Sequence, residues 1–90
     1  MAVAERTVRV ENRLGIHARP AAEIVKVAAR FSCMIQLAKD AQWVNGKSIM
    51  GVMTLAAEQG SELTIRAEGD DAQAAVDALA ECAGKKWEEW

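Results

Sequence analysis

The chain has 90 residues and a formal net charge of −2, from 11 basic and 13 acidic residues. This length suffices for one domain with a modest hydrophobic core. The slight acidity argues against nucleic-acid binding, and no apolar run approaches the roughly 20 residues that span a bilayer. The first residues also lack the apolar segment of a secretory signal. We therefore expect a single cytoplasmic domain over residues 1–90, without membrane insertion and with residues 85–90 as a candidate tail.

Alternating polar and apolar residues predict strands, apolar residues at helical spacing predict helices, and Gly, Asn and Asp residues predict turns. In chain order, the elements are a strand at 7–10, a loop at 12–18, a helix from Pro20 to about Arg30, a strand at 33–37, a turn at 39–42, a strand at 43–45, a helix from Ile49 to Ala57, a strand at 62–68 and a helix at 72–83. The order β-α-β-β-α-β-α predicts an α+β fold. We expect an open-faced β-sandwich, in which three helices cover one face of a four-stranded, mostly antiparallel sheet.

The segment Gly15–Pro20 contains the only histidine and the only proline of the chain. Because proline is favoured at the first helical position, His17 is expected at the mouth of the first helix. A helix N-terminus binds anions through its backbone N–H groups and its dipole, and the guanidinium of Arg19 matches the geometry of a phosphate. Imidazole is largely neutral and nucleophilic near neutral pH. These residues favour phosphoryl transfer to His17, steadied by Arg19; the alternative is that both are ordinary surface residues.

Ser48 precedes the second predicted helix and is expected to be its N-cap. A phosphate on Ser48 would add negative charge at a helix start, where such charge is tolerated. The helix itself has no polar stripe, so part of Ile49, Met50 and Met53 is expected to stay exposed as an adaptable contact surface. The alternative is that the methionines fill gaps in the core.

Cys33 and Cys82 lie on predicted apolar faces and are interpreted as small core residues. Neither belongs to a CxxC motif, and no carboxylate or cysteine stands at ligand spacing from His17. We therefore expect neither a bound metal nor a cofactor. The tail contains Trp87 and Trp90, which either pack back on the domain, contact another chain or belong to a frayed end; the sequence leaves these alternatives open.

Residues 15–20, Gly-Ile-His-Ala-Arg-Pro, resemble the phosphohistidine signature of the HPr family. Members of this family are the histidine-containing phosphocarriers of the bacterial phosphoenolpyruvate-dependent sugar phosphotransferase system. Residues 45–53 resemble the regulatory serine segment of the same family, and the resemblance in element order runs from about Thr7 to Gly84. It implies that His17 accepts a phosphoryl group from Enzyme I on Nδ1 and passes it to sugar-specific EIIA domains.

The resemblance also implies roles for neighbouring residues. Arg19 would steady the phosphoryl group, and Ser48 would be the substrate of an ATP-dependent kinase, the HPr kinase/phosphorylase. The implied partner-binding residues are Ala18, Ile49, Met50 and Met53. We accordingly expect a monomeric stoichiometric carrier and not an enzyme. Gly46 stands where the family more often has a residue with a side chain, which predicts a looser loop before Ser48.

Two other functions are compatible with parts of this pattern. The chain could be a regulatory protein-binding module that phosphorylation of Ser48 switches, without bulk relay of phosphate. The element order also occurs in ferredoxin-like enzymes and RNA-binding modules, but the acidic charge and the missing aromatic platform oppose RNA binding. Since one fold hosts many functions, the site residues and not the element order favour the phosphocarrier.

Overall fold

The computed structural model describes residues 2–85, so the predicted tail beyond Lys85, with Trp87 and Trp90, lies outside the described residues. The elements in chain order are β1 (Val3–Arg9), α1 (Ala18–Ala28), β2 (Met34–Lys39), β3 (Gln42–Asn45), α2 (Ile49–Thr54), β4 (Glu62–Glu68) and α3 (Ala72–Ala83). This order, with one four-stranded sheet in the described part of the chain, confirms the predicted α+β sandwich. Among residues 2–85, no helix combines the length and the apolar character that crossing a membrane requires.

The sheet has the strand order β1-β4-β2-β3, and each neighbouring pair is antiparallel. The last strand in sequence, β4, therefore lies between β1 and β2. Leu63 of β4 pairs with Val8 of β1, and Ile65 of β4 pairs with Leu37 of β2. Because side chains alternate along a strand and these positions are two apart on β4, they point to the same face of the sheet.

The core lies between this face of the sheet and the helices. Leu37, Leu63 and Ile65 from the sheet are fully buried, as are Ile24 of α1 and Leu79 of α3. Both α1 and the sheet contact α3, which therefore joins the helical layer to the strands. This burial of branched apolar side chains is the main stabilising contribution, at roughly 25 cal/mol per Å² of apolar surface removed from water.

Cys33 and Cys82 are both buried and both free thiols, which confirms their interpretation as core residues. Burial raises the pKa of the Cys33 thiol, and a hydrogen bond with Asp71 raises it further. Burial is also the main cause that raises the pKa of the Cys82 thiol. Both thiols therefore stay protonated at neutral pH and behave as small apolar side chains.

The boundaries of the first two helices differ from the predicted ones. The first helix begins at Ala18, so the prediction that Pro20 is the first helical residue was wrong: Pro20 is the third. Proline is tolerated there because the N–H groups of a first turn have no acceptor inside the helix. The second helix ends at Thr54 and not at Ala57, because the chain turns into the left-handed region at Ala56 (φ +49°).

The hairpin between β2 and β3 is tighter than predicted. Lys39 and Gln42 pair with each other as strand residues, so the connection has only two residues, Asp40 and Ala41. Both have positive φ angles, +52° and +66°. Such a turn matches the right-handed twist of the flanking strands, which explains why strand pairing extends beyond the predicted limits.

Candidate functional site

His17 is the N-cap residue of α1 and is half-buried. Its backbone is extended (φ −83°, ψ −169°), and its C=O accepts the first hydrogen bond of the helix, from the N–H of Ala21 at 3.0 Å. Its side chain makes no capping hydrogen bond. The N–H groups of the first helical turn point to the same end of α1 as the imidazole, which places the ring in an electrostatically positive region.

One ring nitrogen of His17, Nε2, is buried and has no hydrogen-bond partner among residues 2–85. Because His17 as a whole is only half-buried, its exposed part lies away from Nε2. A neutral imidazole protonated at Nε2 would present the lone pair of Nδ1 to an incoming electrophile.

The loop before His17 is held by a buried asparagine. Asn12 is 1% exposed; its Nδ2 donates to the C=O of Gly15 at 2.7 Å, and the N–H of Gly15 donates to the C=O of Asn12 at 3.0 Å. Gly15 has φ +71°, and a Cβ atom at this position would collide with the carbonyl oxygen of Ala57. Only glycine combines this backbone conformation with so close an approach.

Sequence reasoning identified Asn12 only as a turn residue and did not identify Ala57 as part of the site. An asparagine three residues before a glycine is a local signal for such a turn. The contribution of Ala57 has no local signal, because the N–H of Ile16 donates to its C=O at 2.9 Å across 41 positions of sequence.

Ala18 and Arg19 are the first and second residues of α1, and both are exposed. The structure thus places Arg19 in the first turn of α1 and the predicted acceptor, His17, directly before that turn. This arrangement suits an anion whose charge is shared between backbone N–H groups and a side-chain cation.

Ser48 is the N-cap of α2, as predicted. Its Oγ accepts a hydrogen bond from the N–H of Gly51 at 3.1 Å, and Ser48 is half-buried. The preceding loop is not loose, contrary to the expectation drawn from Gly46. The N–H of Gly46 donates to the C=O of Ile35 at 2.9 Å, and a Cβ atom here would lie 2.6 Å from Cγ2 of Ile35. Glycine at this position allows the loop to pack directly against the core.

The apolar side of α2 is exposed, as the missing polar stripe predicted. Ile49, Met50 and Met53 are 44%, 77% and 40% exposed, whereas Val52 is buried. Since α1 and α2 contact each other, this apolar surface adjoins the helix that carries His17. Leu14, which sequence reasoning missed, is 66% exposed in the loop before His17. Its signal was a large apolar residue directly after Asn12 and Arg13 in a predicted loop.

No group of three or more His, Cys, Asp or Glu side chains within residues 2–85 is arranged to hold a metal ion. At the start of α1 the chain brings together the imidazole of His17, Arg19 and the helix N-terminus. Together these groups can accept an electrophilic anion at Nδ1 and stabilise its charge.

A family profile described as "PTS HPr component phosphorylation site" matches residues 4–84. The phosphocarrier protein HPr of Treponema pallidum is 54% identical over 84 residues, which cover 93% of this chain and 96% of that protein.

Solved structures agree with the sequence comparisons. The crystal structure of a phosphocarrier protein HPr from Bacillus anthracis superposes with a TM-score of 0.87 at 46% identity, covering 92% of this chain and 99% of the other. A structure from Thermoanaerobacter tengcongensis, described as an HPr dimer, has a TM-score of 0.65 at 43% identity and covers 92% of this chain and 99% of the other. The fold described above is therefore the fold of these phosphocarriers.

Proposed function

The chain belongs to the HPr family of the phosphotransferase system, and from this we propose that it carries a phosphoryl group on Nδ1 of His17. Phosphorylated Enzyme I is the donor in this proposal, and sugar-specific EIIA domains are the recipients. The observation that supports it best is the placement of His17 as the N-cap residue of α1, half-buried and with Nε2 as its buried nitrogen.

The transfer uses the lone pair of Nδ1. This lone pair attacks the phosphorus of the donor, the new N–P bond forms as the bond to the donor breaks, and the donor group leaves with the electron pair. The negative charge of the phosphoryl group then lies beside the first-turn N–H groups of α1 and the guanidinium of Arg19. Phosphoryl transfer depends mainly on positioning and charge stabilisation, which this site supplies without further catalytic groups.

We propose that the chain is a stoichiometric carrier and not an enzyme, because it is itself phosphorylated and dephosphorylated in each cycle. Ala18, Ile49, Met50 and Met53 form the docking surface for donor and recipient. The four strands of residues 2–85 complete the sheet within one chain, which supports a monomer, whereas three of the similar solved structures are described as dimers. The phosphotransferase partners of the family support a cytoplasmic location.

The acceptor role is tested by incubating the chain with phosphoenolpyruvate and Enzyme I and measuring the intact mass. We expect a gain of one phosphoryl group that is lost after brief treatment with acid, because a phosphoramidate is acid-labile. The variant His17→Ala should gain none. Arg19→Ala should slow the labelling about tenfold, whereas Arg30→Ala, beyond the other end of α1, should label at the parent rate.

Labelling of His17→Ala, or label that survives acid, would contradict the proposed acceptor. If the parent chain gains no phosphoryl group while Ser48→Asp still alters partner binding, the regulatory module is the better description.

Ser48 is proposed as a regulatory phosphorylation site for a serine kinase of the HPr kinase/phosphorylase type. Its Oγ lies at the N-terminus of α2, directly before Ile49 and Met50 of the docking surface. A phosphate there would place negative charge at the edge of this surface and oppose the docking of an acidic partner.

Two variants separate the charge at Ser48 from its capping role. Both Asp and Asn are good N-cap residues, but only Asp adds a charge. We expect Ser48→Asp to raise the KM of Enzyme I for this chain about tenfold, and Ser48→Asn to leave it near the parent value. Equal KM values for the two variants would exclude charge repulsion as the regulatory mechanism. The measurement is the initial rate of labelling over a range of chain concentrations.

A further inference from the structure

The loop that carries His17 rests on the segment that follows α2. The carbonyl oxygen of Ala57 accepts a hydrogen bond from the N–H of Ile16 at 2.9 Å, and the same oxygen is the atom that a Cβ at Gly15 would meet first. His17 comes directly after Ile16 in the chain. The Ala57 carbonyl therefore fixes the backbone of Ile16, the residue directly before His17.

The residue before this carbonyl has a strained backbone. Ala56 has φ +49°, in the left-handed region of backbone conformation that residues with a Cβ atom rarely adopt. Such a conformation persists only when the surrounding structure imposes it. The N–H of Ala56 donates to the C=O of Met53 at 3.0 Å, which closes the end of α2 but leaves the next peptide group to be held by another contact.

That contact comes from the sheet. Nζ of Lys39, the last residue of β2, donates a hydrogen bond to the C=O of Ala56 at 3.1 Å. This carbonyl belongs to the peptide group that joins Ala56 to Ala57. Because a peptide group is planar, fixing the direction of its C=O also fixes the start of Ala57 and restricts where the next carbonyl can point. An ammonium group makes a stronger bond to such a carbonyl than a neutral donor does.

We propose that Lys39 is a positioning residue for the phosphoryl acceptor. By holding the left-handed turn at Ala56, it keeps the Ala57 carbonyl within hydrogen-bond distance of the Ile16 N–H. In this way it keeps His17 at the mouth of α1. This inference rests on the proposed function and deepens it, since it assigns to a residue 22 positions away a part in setting the acceptor geometry. Without the ammonium group, the peptide after Ala56 can rotate and the support of the loop is lost.

Amide hydrogen exchange tests the structural part of this proposal independently of phosphoryl transfer. Lys39→Met keeps the length and the apolar stem of the side chain but removes the donor. We expect the N–H of Ile16 to exchange about fivefold faster in this variant, while the amides of β4 keep their parent rates. Lys39→Arg should restore slow exchange because a guanidinium can donate to the same carbonyl. Lys26→Met, at the far end of α1, removes an equal charge and should leave Ile16 unchanged.

The kinetic test uses the double variant with Ala56→Gly. Lys39→Met should lower the kcat of Enzyme I with this chain as acceptor about fivefold and leave KM unchanged, because the docking surface is intact. Glycine adopts the left-handed conformation without strain. Adding Ala56→Gly to Lys39→Met should therefore restore most of the lost rate.

The proposal is overturned if Ile16 exchanges at the parent rate in Lys39→Met, or if the rate loss matches that of Lys26→Met or persists in the double variant. A rise in KM with kcat unchanged would also overturn it, since Lys39 would then act in docking. If the parent chain is not phosphorylated on His17, the proposed function is wrong. The exchange rate of the Ile16 N–H still shows independently whether Lys39 holds the loop.

Discussion

Asp71 joins the start of α3 to the start of β2 through a single carboxylate. The sequence places acidic residues where a helix dipole favours them, and Asp71 is indeed the N-cap residue of α3. Its side chain makes no capping hydrogen bond, however, and instead accepts the backbone N–H groups of Ser32 at 3.0 Å and Cys33 at 3.1 Å. The hydrogen bond from the Ser32 backbone is the main cause that lowers the pKa of Asp71.

This lowered pKa predicts a specific dependence of stability on pH. Since the pKa of Asp71 is lower in the folded than in the unfolded chain, its carboxylate stabilises the fold fully above the ordinary value of 3.8. That contribution is lost as pH falls below 3.8 and through the folded value. Asp71→Asn should therefore flatten the acidic part of the curve of unfolding free energy against pH.

Urea unfolding over the acidic range measures this curve. Asp70→Asn, at the exposed neighbouring position, is the matched control and should keep the parent slope. If Asp71→Asn loses stability on acidification as steeply as the parent chain, the carboxylate is not the group responsible.

The elements of this chain are short, and their ends decide their stability. The second helix has only six residues, too few to persist alone, and it is held by the Ser48 cap and by contacts with α1 and β3. The stability of the β2–β3 hairpin depends instead on its two-residue turn, which requires a positive φ angle at both positions. Asp40 tolerates this conformation, whereas Ala41 is strained at φ +66°.

Replacing Ala41 with glycine should relieve this strain. We expect Ala41→Gly to raise the free energy of unfolding by about 0.5–1 kcal/mol, because the relief exceeds the entropic cost of glycine in the unfolded chain. The same change at Ala22, an exposed position inside α1, should lower the free energy by about 0.5–1 kcal/mol. Urea unfolding measures both variants, and a loss of stability in each would show that the turn is not strained.

In the whole molecule, the central position of β4 ties the site to distant parts of the chain. β4 pairs with β1, which leads into the His17 loop, and with β2, which ends at Lys39. The acceptor loop and its proposed tether are therefore positioned by the same strand. The site at the N-terminus of α1 thus depends on the antiparallel sheet, which is complete only when β4 has paired with both β1 and β2.

The sequence by itself determined the features that have local causes. Helical and strand periodicity predicted the order of the elements, and cap chemistry predicted Ser48 at the start of α2. The missing polar stripe predicted the exposure of Met50 and Met53. The placement of His17 at a helix mouth also followed from its neighbours, although the helix begins at Ala18 and not at Pro20. Each of these inferences needs only residues within a few positions of one another.

Only the tertiary structure decided which distant groups support the site. The contact of Ala57 with the loop of Ile16, the hydrogen bond from Lys39 to Ala56 and the hydrogen bond from the Ser32 N–H to Asp71 all join segments that are far apart in sequence. Hydrogen bonds of this kind depend on the register and packing of the whole sheet, which no local pattern encodes. For the same reason, the sequence predicts that an imidazole lies at a helix mouth, but only the packed loop decides that its Nε2 atom is buried.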